Sequence, residues 1–333
     1  MTARAPLPIR PRRRLSSLAA LALLACTATG CVTVHGADAV VPAVGKAGAP
    51  AALDHFAQVV NDADSKLDPS LNAQVETGAL GAIDGAGIKA RHVNSPSGNP
   101  GYQPLRFSDT RFLIPRERGW PKWFVADTAN SRDRDRWLLV FTRDSVKDAW
   151  RASYLSVLAP GQLPDFATDG QGYAVPVPVG GTDLLVQPGE LGARYTAYLQ
   201  QGDKGSTAFA QGSQTSGLRA QRRTQYAPTS QVVTQFADEP ADPVQYAPVA
   251  LRLREGGALV FFTTRHEMKQ TVTKGPVVIK DPNVNALLTG TPNRSVTLYK
   301  VAEQVVKVPA RSDTGAKVVF LNRIEGLVSA SGA

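Results

Sequence analysis

Leu138-Leu139-Val140-Phe141-Thr142-Arg143 and, far downstream, Leu259-Val260-Phe261-Phe262-Thr263-Thr264-Arg265 are two similar apolar runs that both end in threonine and arginine. Each lies inside a series of short segments rich in aromatic and β-branched residues and divided by turn residues, which is the pattern of strands. The first series comprises 106–114, 120–128, 136–143 and 150–158, and the second 246–254, 258–271, 295–308 and 317–329. Working outward, each series is preceded by helix. Ala52, Leu53, Phe56, Val59, Val60 and Ala63 recur at three- and four-residue steps, predicting one amphipathic helix that ends before Asp68-Pro69. Ser70 is placed to cap a second, weaker helix through about Ala82, which Gly78, Gly81, Gly85 and Gly87 break up. In the second half, 191–199 is a short helical pattern and 207–225 a polar helix. Gly87-Ile88-Lys89-Ala90 and Gly217-Leu218-Arg219-Ala220 are a further echo between the halves. Val175-Pro176-Val177-Pro178 is at best an edge strand, because proline cannot donate to a ladder, and Gly180-Gly181 marks the boundary.

Helices followed by antiparallel strands predict an α+β fold. The expected arrangement is two tandem domains, 49–179 and 180–333, each with N-terminal helices packed on a curved antiparallel sheet. This order of elements resembles a tandem of NTF2-like (cystatin-like) domains over roughly 47–333. The resemblance implies leading helices that fill the concave side of each sheet.

Charge and cysteine content concern export rather than chemistry. The 333 residues hold 37 Lys and Arg against 28 Asp and Glu, a formal +9. Residues 1–30 contain five of those arginines and no acidic residue, which leaves +4 for the remainder. A basic stretch to Arg14, an apolar run from Leu15 to Ala25 and then small residues form the three parts of an export signal. The apolar run is too short for a membrane-spanning helix, which needs about 20 residues. The chain's 2 cysteines, Cys26 and Cys31, follow at once. They resemble the lipobox of bacterial lipoproteins, and with it the chain resembles, over roughly 47–333, actinobacterial lipoproteins of uncharacterised role. Cys31 is the preferred lipidation site, with Ala28-Thr29-Gly30 before it, and Cys26 the alternative, after Leu23-Leu24-Ala25. Buried acyl chains at that thiol would hold the protein on the membrane. Small, nearly uncharged residues then make 31–48 a flexible tether.

Catalytic patterns are missing. Four histidines, His35, His55, His92 and His266, share no metal-ligand spacing, and His266-Glu267-Met268-Lys269-Gln270 lacks the second histidine of a zinc-protease helix. Asp62, Asp64 and Asp68 lack the glycine and the remaining ligands of a calcium loop. No Gly-x-Ser-x-Gly turn occurs, and the glycine-rich 78–87 lacks the Gly-Lys-Ser/Thr ending of a phosphate loop. No metal site and no cofactor is therefore expected. Arg132, Arg134 and Arg136 alternate with Asp133 and Asp135, so with the leader set aside nothing points to nucleic acid. The aromatic residues are more telling. Trp120, Trp123, Trp137 and Trp150 fall in one stretch of the first sheet, joined by Tyr154. They form either a tryptophan-weighted core or a ligand or partner face with Tyr154 as polar handle.

The sequence thus points to a lipid-anchored, extracytoplasmic envelope protein without catalytic activity, bound to the membrane through its N-terminal lipid and binding an envelope protein or a ligand. Two alternatives stand beside it. One is an NTF2-like acid–base enzyme, with His266, Glu267 and Tyr246 as first candidates. The other is a transporter's substrate-binding lipoprotein, which the grouping of helices before strands disfavours.

Overall fold

The computed structural model describes Thr2 and residues 39–333. The leader, Cys26, Cys31 and His35 lie outside the described residues. After β1 (Val40–Pro42) the chain forms α1 (Gly48–Lys66), which buries Ala49, Leu53, Phe56, Val60 and Ala63 along one stripe, as the periodicity predicts. Leu67 ends it in the left-handed region, φ 53°, a costly conformation for leucine. Burial of its side chain against Ile88 and Leu71 offsets that cost.

Two local expectations are corrected at the next helices. Asp68, not Ser70, caps α2 (Pro69–Val75). Pro69 has no N–H, so the first donor is Ser70, whose amide and hydroxyl reach the Asp68 carboxylate at 2.8 and 2.6 Å. The glycines of 78–87 do not interrupt a helix; they lie within α3 (Gly78–Asn94). Glycine costs a helix about 1 kcal/mol relative to alanine. Here tertiary packing overrides propensity, because α3 turns Ala79, Ala82 and Ile83 into a core between two sheets. Gly78 opens it at φ +57°, with Ser153 so close that a Cβ would lie 3.2 Å from its carbonyl.

The first sheet is antiparallel, in the order β2 (Phe107–Leu113), β4 (Lys122–Asn130), β5 (Arg136–Arg143), β6 (Arg151–Leu158), while β3 (Arg116–Arg118) pairs with β1 in a separate ribbon. The second half starts with α4 (Leu191–Gln201). Of the expected polar helix, only a π turn at Ser213–Gly217 and α5 (Leu218–Gln225) are helical. There follow β7 (Val232–Pro240), β8 (Val249–Arg252), β9 (Ala258–Val272), α6 (Pro282–Leu287), β10 (Leu288–Gly290), β11 (Ser295–Val308) and β12 (Val319–Gly332). Their order is β10-β12-β11-β9-β7, with β8 also on β9. β10 joins β12 in parallel, so this sheet is mixed rather than wholly antiparallel. Val175 and Val177 pair with the outer edge of β8 through Arg252 N–H to Val175 O and Val177 N–H to Ala250 O, both 2.8 Å. Pro176 and Pro178 have no N–H to lose there.

Alternation along the strands decides how the layers stack. In β4 and β5, Trp123, Val125, Leu138 and Val140 face one way, and Phe124, Ala126, Leu139 and Phe141 the other. The second set packs on α1. The first set meets Leu259 and Phe261 of β9 and Val301 and Val305 of β11. On the far side of the second sheet, Val260, Phe262 and Val306 pack on Tyr195, Tyr198 and Leu199 of α4. The molecule is α+β, with two sheets face to face, α1 and α4 on their outer faces and α3 against both sheets at the seam.

The free edge of β6 is closed by side chains and a turn. Leu155 N–H donates to Glu303 Oε2 at 3.1 Å and Val157 N–H to Asn322 Oδ1 at 3.4 Å, while Ala152 O accepts Thr77 N–H at 2.9 Å.

Candidate functional site

At one end of the inter-sheet core, where β4 starts, β5 finishes and the loop before β8 enters, is a pocket of about 220 Å³. Trp123 reaches it because odd-numbered residues of β4 face the second sheet. Tyr154 on β6 and Tyr246 on the loop complete an aromatic wall. The phenol of Tyr154, 2% exposed, donates to the carbonyls of Ala247 and Tyr246 at 3.1 and 3.3 Å and accepts from Thr263 at 3.2 Å. One hydroxyl thus ties the first sheet to the loop and to β9. Burial pushes that phenol well above its ordinary value, so it stays protonated.

Charge enters at one wall. Lys122, 4% exposed, donates from Nζ to the Glu117 carbonyl. Burial lowers its ammonium, opposed by the Glu117 carboxyl. Burial also lifts Glu117 to about 7, against hydrogen bonds from the Trp123 backbone and indole and the attraction of Lys122. Trp123 is therefore held in place by a carboxyl behind it. Nearby hydroxyls serve the sheet: Ser153 donates to Val140 O at 3.3 Å and Thr142 to Arg151 O at 3.5 Å. Asp144 adds a carboxylate to the lining, and the hydrogen bonds of Ser153 and Thr142 go to main-chain carbonyls.

The other aromatic residues of the expected face are placed elsewhere. Trp137, 8% exposed, lies on the α1 side against Phe107, its indole donating to Asp133 at 3.1 Å. Trp150 packs edge-on to Phe124 on that side. Trp120 is 44% exposed, and Arg143 lies between it and Trp150, 5.1 and 5.2 Å from the two rings. Of the five residues, the structure brings Trp123 and Tyr154 together at the pocket.

Residues 40–332 match the family described as a domain of unknown function, DUF8094. The chain belongs to the DUF8094 family. An uncharacterised lipoprotein of Streptomyces avermitilis is 46% identical over 310 residues, covering 93% of this chain and 92% of its own. One of Streptomyces coelicolor is 46% identical over 330 residues, 98% of each chain, and a second from that organism 25% identical over 339 residues, 92% of each. No solved structure matches. Among the described residues of this DUF8094 chain no helix is long and apolar enough to cross a membrane.

Of the acid–base candidates in this DUF8094 protein, His266 and Glu267 share a pocket and Tyr246 lies at another. His266, 3% exposed, has Nδ1 at 2.6 Å from Asp238 Oδ1 and Nε2 at 2.7 Å from Thr264 Oγ1. Arg222 of α5 grips the same carboxylate at 2.6 and 2.9 Å. Burial raises Asp238, but the bonds from His266 and Arg222 outweigh it and hold the carboxyl below its usual range. Burial lowers His266 despite Asp238, leaving the ring neutral at neutral pH. Both ring nitrogens are engaged, by Asp238 and Thr264, and the residue lines a small pocket of about 110 Å³ with Arg222, Lys300 and Glu325. Glu267, the next residue along β9, lines that same pocket, whereas Tyr246 lines the seam pocket. The sequence offered no Asp238 because β7 was not recognised, although Val233, Gln235 and Ala237 alternate with Val232, Thr234 and Phe236 in a strand-like pattern. Among the described residues no group of His, Cys, Asp or Glu is arranged to hold a metal ion.

Proposed function

We propose that this is a lipid-anchored extracytoplasmic envelope protein that binds a small, largely apolar group, from a free ligand or a partner, in the seam pocket without transforming it. The supporting observation is the pocket itself: about 220 Å³, walled by Trp123, Tyr154 and Tyr246, with no nucleophile–base pair beside it among the described residues. The anchor is Cys31, with Cys26 as the alternative, and 49–179 and 180–333 are two halves of similar element order that pack as one body. Kinship with lipoproteins supports the envelope location.

Two experiments test this. Labelling with a fatty acid in wild type, Cys31→Ser and Cys26→Ser is expected to lose label in Cys31→Ser; label retained there and lost in Cys26→Ser moves the anchor to Cys26. For the pocket, 1-anilinonaphthalene-8-sulfonate is expected to bind at one site and to change Trp123 emission. Thr142→Phe, which fills the mouth, should weaken that binding about tenfold or more. Unchanged binding in a folded Thr142→Phe protein rejects the pocket.

A further inference from the structure

A second and larger cleft, about 680 Å³, lies between α1, α3, the loop at 99–106 and the turn joining β4 to β5. Its chemistry is the opposite of the seam pocket's. Asp64 from α1 lies at its centre, 16% exposed, with Arg91 of α3 on one carboxylate oxygen at 3.0 Å and Arg132 of the turn on the other at 2.9 Å. One acid is thus shared by two guanidinium groups, each of which stays more than one-third exposed. Arg106 lines the same cleft, and its guanidinium has no partner among the described residues. Asp84 supplies the remaining carboxyl, so three cations face two acids.

The walls are built rather than loose. Asn61 of α1 clasps Leu105, accepting from its N–H at 2.8 Å and donating to its carbonyl at 2.9 Å, and also accepts from the Tyr102 hydroxyl. Ser131 accepts the Arg106 N–H at 3.0 Å and donates to Pro104 O at 3.1 Å. Arg106 therefore projects from a backbone fixed on both sides. A cleft of this volume exceeds what a lone inorganic anion fills and falls in the range of organic ligand sites. Carboxylates, guanidinium groups and one tyrosine give it many directional donors and acceptors for hydroxyl groups, while the unpaired guanidinium suits a carboxylate or phosphate.

We propose that this cleft binds an anionic saccharide, with Arg106 and the exposed sides of Arg91 and Arg132 taking the sugar's carboxylate or phosphate, and with Asp64, Asp84 and Tyr102 meeting its hydroxyls. The site is independent of the seam pocket. The pH dependence comes from Asp84: burial and the charge of Asp64 lift that carboxyl to about 6, against Arg91 and Arg132. A bound anion is repelled by ionised Asp84, so affinity is strongest below about pH 6 and falls as pH rises through it.

Calorimetric titration of the full-length protein tests this with a uronic-acid trisaccharide, a sugar phosphate, neutral maltotriose and inorganic phosphate. One charged sugar is expected to bind at least about tenfold tighter than maltotriose or inorganic phosphate, and the tighter of the two names the anion. Arg106→Ala is expected to cost about tenfold to a hundredfold. Asp84→Asn should flatten the dependence on pH. Binding of maltotriose or inorganic phosphate as tight as that of the charged sugars, an unaltered affinity in Arg106→Ala, or no binding of any of the four overturns the proposal. Failure of the dye experiment at the seam pocket leaves these outcomes untouched.

Discussion

Glu303 shows how one side chain can serve two sheets at once. It projects from β11 between Val301 and Val305 into the inter-sheet core, 2% exposed, and accepts the Leu155 amide of β6. Its second oxygen, Oε1, has no partner among the described residues. Burial holds its carboxyl well above the ordinary range, favouring the neutral acid. A carboxyl raised on folding contributes stability in full below its unfolded value, and that contribution is lost as pH climbs through the folded one. Glu303→Gln keeps the acceptor and cannot ionise. The melting temperature of wild type is therefore expected to drop relative to Glu303→Gln as pH is raised above the usual carboxylate range, in thermal melts across pH. Parallel curves would show that folding does not raise Glu303 above its unfolded value. Sequence reading places Glu303 on a strand but cannot supply its role, because Leu155 is 148 positions away. The same holds for Asp238 and His266, whose pairing depends on β7 lying beside β9. Trp123 and Tyr154 were visible as a composition anomaly, and period two alone assigns a strand's residues to alternate faces without saying what each face meets.

At the scale of elements, α3 is where local propensity and tertiary packing disagree. Four glycines argue for a break, yet the helix runs through them because Ile83 lands in a space that Gly326 of β12 leaves open. A methyl at 326 would overlap Ile83 Cγ2. Gly326→Ala is expected to destabilise the protein by about 1–3 kcal/mol in urea unfolding, and Ile83→Ala in the same chain to recover part of that loss. Full additivity of the two changes would mean that α3 does not pack there. The strands were more legible than the helices. The prediction of 136–143 is met by β5 and that of 295–308 by β11, since apolar runs bounded by turns leave few other choices. The short β1, β3 and β10 carry too few residues for any period to register.

For the whole molecule, the α+β class followed from element order, but the stacking of sheet on sheet did not. A physical hint was present: β4 and β5 read Trp123-Phe124-Val125-Ala126 and Trp137-Leu138-Leu139-Val140-Phe141, continuous rather than alternating, as strands buried on both faces must be. One face was assigned to helices, and the second needed a partner. Because that partner is the other sheet, the two halves are expected to unfold together. All four tryptophans belong to the first half, so fluorescence reports that half while far-ultraviolet dichroism reports both. Coincident urea transitions are expected, and two separate midpoints would make the halves independent domains.

The closed edge of β6 bears on how a neighbour can be engaged. An open strand invites another chain to extend the sheet, a hazard that grows where molecules are confined to a surface. Here the positions such a guest would occupy are already taken by Glu303, Asn322 and the turn before α3. Adding a strand at β6 would mean prising the two sheets apart, which removes main-chain pairing at that edge from the means of recognition. At β6, contact with another chain is left to side chains.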